Sequence, residues 1–315
     1  MKALLVALAA TLTAGGTLSA RAVDAPAFVA KVLPAKFALF DLAVDADKLV
    51  AVGERGIVLQ SSDGGKKWSM VSTPTTRSLT SIVFVDDKTL VAAGHGATLL
   101  RSEDAGASWT AVAIAGIGKD SILGLLAMHD GRVIAYGAFG MYLESTDAGK
   151  TWKKLSVVKE GFDRHISQVI EAKDRLLLVG ESGTLASSND KGATWTEIKS
   201  PYEGSFFGAL AARDGSLLIY GMRGNIYRST DGGTGWTRVP IASNSALNGG
   251  SIDAAGRIAL VGNNGLIAVS TDDGQNFVLH HASGGLPLAQ ARFRKDGTLV
   301  YVGYMAAGRI EGTSK

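Results

Sequence analysis

The side chains in this sequence that could do chemistry are arginines, aromatic rings and carboxylates set in glycine-rich loops. Asp163, Glu181 and Glu203 could supply the two carboxylates of a glycoside hydrolase, one protonating the leaving group and the other acting as base or nucleophile. Arg55, Arg77 and Arg223, with Tyr202 and Glu203, could be cast as the arginine cluster, tyrosine nucleophile and acid of a sialidase-like site. The same loops also carry His95, Phe162, Arg164, Phe206 and Phe207. Arginine mixed with aromatic rings suits a protein-binding hot spot or an anionic, amphiphilic ligand. A site for binding is therefore expected at Arg55, Arg77, His95, Phe162, Arg164, Tyr202, Phe206, Phe207 and Arg223, with no catalytic residue.

Other chemistries fare worse. The chain has no cysteine, which removes disulfides, thiol nucleophiles and thiolate metal sites. Its five histidines, His95, His129, His165, His280 and His281, show no metal-ligand spacing, and His280 and His281 as strand neighbours would face opposite sides. No metal, cofactor or nucleotide is expected. Glycine pairs recur, but each lies between strands and opens no helix of the kind that cradles phosphate. There are 32 basic and 29 acidic residues, and Lys2 and Arg21 lie in the first 22, so the remainder is nearly neutral and has no global electrostatic case for nucleic acid.

The elements that must position these loops are legible as a repeat. An S-x-D-x-G-x-x-W box occurs with Asp63 and Trp68, Asp104 and Trp109, Asp147 and Trp152, Asp190 and Trp195, and Asp231 and Trp236, then with phenylalanine as Asp272 and Phe277. The aspartates step by 41, 43, 43, 41 and 41 residues. A glycine turn precedes each box (Gly53–Gly56, Gly94–Gly96, Gly137–Gly140, Gly180–Gly183, Gly221–Gly224 and Gly262–Gly265), and a seventh begins at Gly303 with no box after it. Between them lie short runs rich in Val, Ile, Leu and Thr, which read as strands. Four such strands per period make the blade of a β-propeller. The fold expected is all-β, a seven-bladed β-propeller with four-stranded blades over 23–315. Phe28–Pro34 resembles the fourth-strand segment Trp68–Pro74, so it is expected to complete the last blade and lock the ring.

The six aspartates read as turn staples, because aspartate and serine can bond the backbone of their own turn and a catalytic group is needed only once. All five tryptophans sit in boxes, which leaves none for a sugar-stacking platform. Residues 1–22 have a short basic start, an apolar stretch and Ala20-Arg21-Ala22, the pattern of a cleaved signal peptide, with an uncleaved anchor as the alternative. Cleavage is expected after Ala20 or Ala22, which sends the chain to the periplasm.

These boxes resemble the Asp-box, or bacterial neuraminidase repeat, superfamily of propellers. The short period, the glycine turn before each box and the count of seven are most similar to the photosystem II stability and assembly factor family. That resemblance implies a non-enzymatic scaffold that escorts assembly of a membrane-protein complex on the lumenal or periplasmic side. A photosystem component or a transporter is the natural partner, the latter in a bacterium without photosynthesis, and a monomer is expected. The box is shared with sialidases, so the glycoside hydrolase reading stands as the alternative.

Overall fold

The computed structural model describes residues 30–311 apart from 115 and 174, so the signal segment 1–22 and the start of the Phe28–Pro34 strand lie outside the described residues. Seven antiparallel sheets form the ring. Each inner strand packs on its neighbours' inner strands, and that of the first blade meets that of the seventh. The inner strands are Leu39–Asp45, Leu79–Phe84, Ile122–Ala127, Ile166–Ala172, Phe206–Ala211, Leu247–Ile252 and Leu288–Phe293. Among the described residues no helix is long and apolar enough to cross a membrane.

The second strand of each blade shows why the ring packs. Leu90–Gly94, Val133–Gly137, Leu217–Gly221 and Ile258–Gly262 are buried at every position. Side chains alternate between the two faces of a strand, so such a run must serve two cores. In blade 1, Val50 and Val52 pack with Leu79, Ile82 and Leu90 of blade 2, whereas Leu49 and Ala51 pack with Val300 and Val302 of blade 7. A continuous apolar strand is therefore a bridge between two neighbours, and each fully buried leucine contributes about 1.5–3 kcal/mol.

Ring closure differs from the expectation. Ala30–Val32 pairs antiparallel with Trp68–Val71 as a fifth strand of the first blade, with Val32 opposite Trp68. Among the described residues the last blade has three strands, Leu288–Phe293, Leu299–Gly303 and Ala306–Ile310. The physical reason lies in the 3-10 turn Pro34–Lys36, which packs on Ala306–Ile310 and carries the preceding strand on to blade 1. Closure instead rests on the apolar junction of Leu39, Leu49 and Trp68 with Val300 and Val302, on Met305 N–H donating to Phe37 O at 3.0 Å, and on an Arg294–Asp47 ion pair.

The boxes are turn staples, and they also join blades. In all six the serine hydroxyl donates to the aspartate Oδ1 at 2.7–2.9 Å and accepts from the box glycine N–H. Trp68, Trp109 and Trp152 donate their indole N–H to that glycine's carbonyl. The residue before the glycine is in the left-handed region, Ala105, Ala148, Lys191 and Asp273 included. Its carbonyl accepts from a side chain of the preceding blade: Gln60 to Ala105 at 3.1 Å, Arg101 to Ala148 at 2.7 Å, Arg132 to Lys191 at 3.1 Å, Arg175 to Gly232 at 2.8 Å and Arg228 to Asp273 at 2.9 Å. A chain of side-chain clasps thus runs around the box face.

Hydrogen bonds from Thr151 and Thr194 hold the Asp147 and Asp190 carboxyls well below their ordinary 3.8, at about 2. These groups take up protons more readily in the unfolded chain. Their contribution is therefore complete above about pH 4 and is lost as pH falls toward 2. A series of urea unfolding midpoints is expected to be flat from neutral pH to about 4 and to drop steeply below it, and the drop should shrink in a Thr151→Val, Thr194→Val double variant.

Candidate functional site

The face opposite the boxes is built by the glycine turns and the connections between blades. Each turn is a single 3-10 turn, and in most a side-chain-bearing residue sits in the left-handed region: Arg55 (φ 53°), Phe139 (φ 53°), Ser182 (φ 51°), Arg223 (φ 56°) and Asn264 (φ 59°). That backbone conformation is unfavourable for non-glycine residues, by about 1–3 kcal/mol each, and is kept only where the surrounding structure enforces it. The enforcement is visible. The glycine opening each turn lies so close to the carbonyl before the inner strand that a Cβ would collide with it, and the next residue's N–H binds that carbonyl, as in Glu54 to Ala38 at 2.9 Å.

The sequence candidates fall into four places. Arg55, Arg77 and His95 are exposed on blades 1 and 2. The Arg77 guanidinium occupies the space a side chain at Gly96 would need, and His95 Nδ1 lies 2.7 Å from Ser121 Oγ. Arg223 is exposed on blade 5, far around the ring from Arg55. Phe162 and Arg164 line a groove of about 420 Å3 on blade 4 together with Asp163, Ser182, Thr184 and Ile198. Arg164 Nη1 donates to Ser182 O at 3.3 Å. Beside it, His165 meets the edge of Phe139 at 4.9 Å between centroids and places Nδ1 3.3 Å from Glu181 Oε2. Phe207 lines the axial channel.

Two aromatics are elsewhere than expected. Phe206 is fully buried, in the core between blades 4 and 5, because the first residue of an inner strand faces the wall and the second the channel. Tyr202 stacks on Tyr227 at 6.4 Å and packs on Phe206, so most of its ring belongs to the same wall. Glu181 has a backbone task as well, accepting from His165 N–H at 3.2 Å as Glu54 accepts from Ala38 N–H at 3.1 Å. Asp163 and Glu203 are exposed, and of the three carboxylates only Asp163 lines the groove. The arginines, Tyr202 and Glu203 of the sialidase-like set are thus spread over blades 1, 2 and 5 and the wall, not gathered at one point. Phe139, a loop residue of the same face, is exposed at 61% and in contact with His165, so it belongs beside the groove although it lies outside the expected binding set.

Comparison with known proteins agrees with this architecture. The model of the DUF6242 β-propeller domain matches residues 125–238 and 168–294, together more than half of the chain. The model of the photosynthesis system II assembly factor YCF48 matches residues 27–119. No curated protein matches the chain in sequence. Among solved structures, YCF48 bound to D1 peptide is 17% identical with a TM-score of 0.74, covering 92% of this chain and 98% of that one. YCF48 from Cyanidioschyzon merolae is 14% identical with a TM-score of 0.68 over 90% and 98%. A streptogramin B lyase is 13% identical with a TM-score of 0.74 over 90% and 97%. At these identities the solved structures speak for the fold. The chain belongs to the family of the DUF6242 β-propeller domain and is a seven-bladed propeller like the photosystem II assembly factor YCF48.

Proposed function

We propose that this propeller is a non-enzymatic protein-binding scaffold that assists the assembly of a membrane-protein complex, acting as a monomer on the periplasmic side of the envelope. The observation that carries the reading is the match of the YCF48 model to residues 27–119, the part of the chain that bears Arg55, Arg77 and His95. A YCF48 structure of the same fold holds a D1 peptide, so a propeller of this shape can take a segment of a membrane protein. The exposed arginines on a rigid frame fit that role, since loops on a fixed scaffold are where binding residues concentrate. The periplasmic location rests on the signal-like residues 1–22, and the partner in a host without photosynthesis would be a transporter or another envelope complex.

The hydrolase reading draws on the resemblance of the boxes to those of sialidases, and the lyase of similar shape supports the fold alone. Tyr202 and Glu181 are engaged in packing and backbone capping, which favours the scaffold. In the native host, deletion of the gene is expected to lower the amount of one assembled envelope complex, read on native gels, while its subunits are still made. An Asp163→Asn, Glu203→Gln double variant should restore assembly fully. Unchanged complexes after deletion, or a variant that fails to restore them, would contradict the proposal.

A further inference from the structure

The inner strands line an axial channel, open to solvent, with about 130 Å3 of free volume, room for a small ligand and a few waters. Its chemistry is one-sided. Asp41 is the carboxylate of the cavity wall, and both oxygens are engaged: Oδ2 accepts from Ser81 Oγ at 2.8 Å and Ile82 N–H at 3.0 Å, and Oδ1 accepts from Leu42 N–H at 2.8 Å and faces Arg292 Nη2 at 3.4 Å. A carboxylate accepts about four hydrogen bonds, so Asp41 has little left to give a cation.

The donors, by contrast, are open. Gln168 Oε1 accepts from Ala209 N–H at 2.7 Å, and Gln290 Oε1 accepts from Ala291 N–H at 2.9 Å. Each amide is thereby oriented with its NH2 group free, and neither NH2 has an acceptor among the described residues. Tyr220 lies flat across Gly208, where any Cβ would collide with its ring, and Tyr136 lies the same way across Gly124. Both rings are buried and both reach the cavity. Burial pushes both phenols well above their usual range, so they carry their protons at neutral pH. The Tyr220 hydroxyl has no acceptor among the described residues.

We propose that the channel is a binding site for a small monocarboxylate of formate to acetate size, held by the Gln168 and Gln290 amides and the Tyr220 hydroxyl beside Arg292. Size follows from the cavity. Charge follows from the donors: neutral N–H and O–H groups without acceptors suit the oxygens of an anion, and with Arg292 already shared between Asp41 and the Gly250 carbonyl, the nearby Asp41 carboxylate disfavours more than one negative charge. Shape follows from the donors, because two oxygens with four lone-pair sites can meet two amides and a hydroxyl at once. The site is separate from the turn face and stands whether or not that face binds a protein.

The test uses the full chain and 13C-labelled acetate, followed by saturation-transfer NMR. Wild type is expected to bind acetate saturably. Gln290→Glu keeps the oxygen that the Ala291 N–H needs and removes the free donor, and should weaken binding by about tenfold or more. Tyr220→Phe removes only a hydroxyl and should weaken it by several-fold, which keeps the proposal open to refutation if the first variant folds poorly. Absence of saturable binding by wild type, or unchanged affinity in either folded variant, would overturn it.

Discussion

Replacing Gly262 with alanine is expected to destabilise the ring by about 3 kcal/mol or more, whereas Gly131→Ala should lose only about 1 kcal/mol. Gly262 opens the turn of blade 6 with extended backbone that any residue could adopt, so its conformation is not the reason. The reason is space. A Cβ there would lie far inside contact distance of the Ala246 carbonyl oxygen, which also receives the Asn263 N–H at 2.9 Å. Relief would break that bond and push the turn off the inner strand. Gly131, at φ 87°, has nothing near a built Cβ, so alanine there meets only backbone strain. In thermal unfolding the first variant should fall by roughly 6 °C or more and the second by about 2 °C. Equal shifts would show that close approach is not what these glycines serve.

Phe206→Ala is expected to destabilise the fold by about 3–5 kcal/mol, while Phe207→Ala should change stability by less than about 1 kcal/mol. The two neighbours point in opposite directions. Phe206 is fully buried among Val179, Leu185, Ala209 and Ile219, and the cavity left by its ring would be closed in by strands of two blades. Phe207 lines the channel, is only partly buried, and can be shortened without opening the wall. Urea denaturation of both variants decides the matter. A destabilised Phe207→Ala beside a nearly neutral Phe206→Ala would mean that the strand register is shifted by one residue.

The same two residues show what could be read from the chain and what could not. The repeat of boxes and glycine turns declared the blade, the count of seven and the face on which each turn lies, because turn chemistry is local. The inner strand of blade 5 was legible as a strand, but Phe206 and Phe207 could not be assigned to wall and channel without the bulge that each inner strand carries near its start, here between Phe206 and Gly208. Phe28–Pro34 matched the outer-strand pattern, yet that pattern specifies an outer strand and not which blade takes it. The turn Pro34–Lys36 decided that. The clasps from Arg101, Arg132, Arg175 and Arg228 were invisible because each spans 45–59 residues to a bare carbonyl, and a carbonyl leaves no mark in sequence. Of the binding candidates, the exposed arginines stood where the turns implied, whereas Tyr202 and Phe206 were claimed by packing that only the neighbouring blade reveals.

The central claim, that the turn face binds a membrane-protein partner, is tested most directly by affinity capture from detergent-solubilised envelope with the tagged chain beside an Arg55→Ala, Arg77→Ala, Arg223→Ala variant. All three side chains are exposed, so the variant should unfold at the wild-type temperature. Recovery of one membrane complex by wild type, reduced about tenfold or more in the variant, is the predicted result. Equal recovery by both proteins, or no complex with either, would contradict the account.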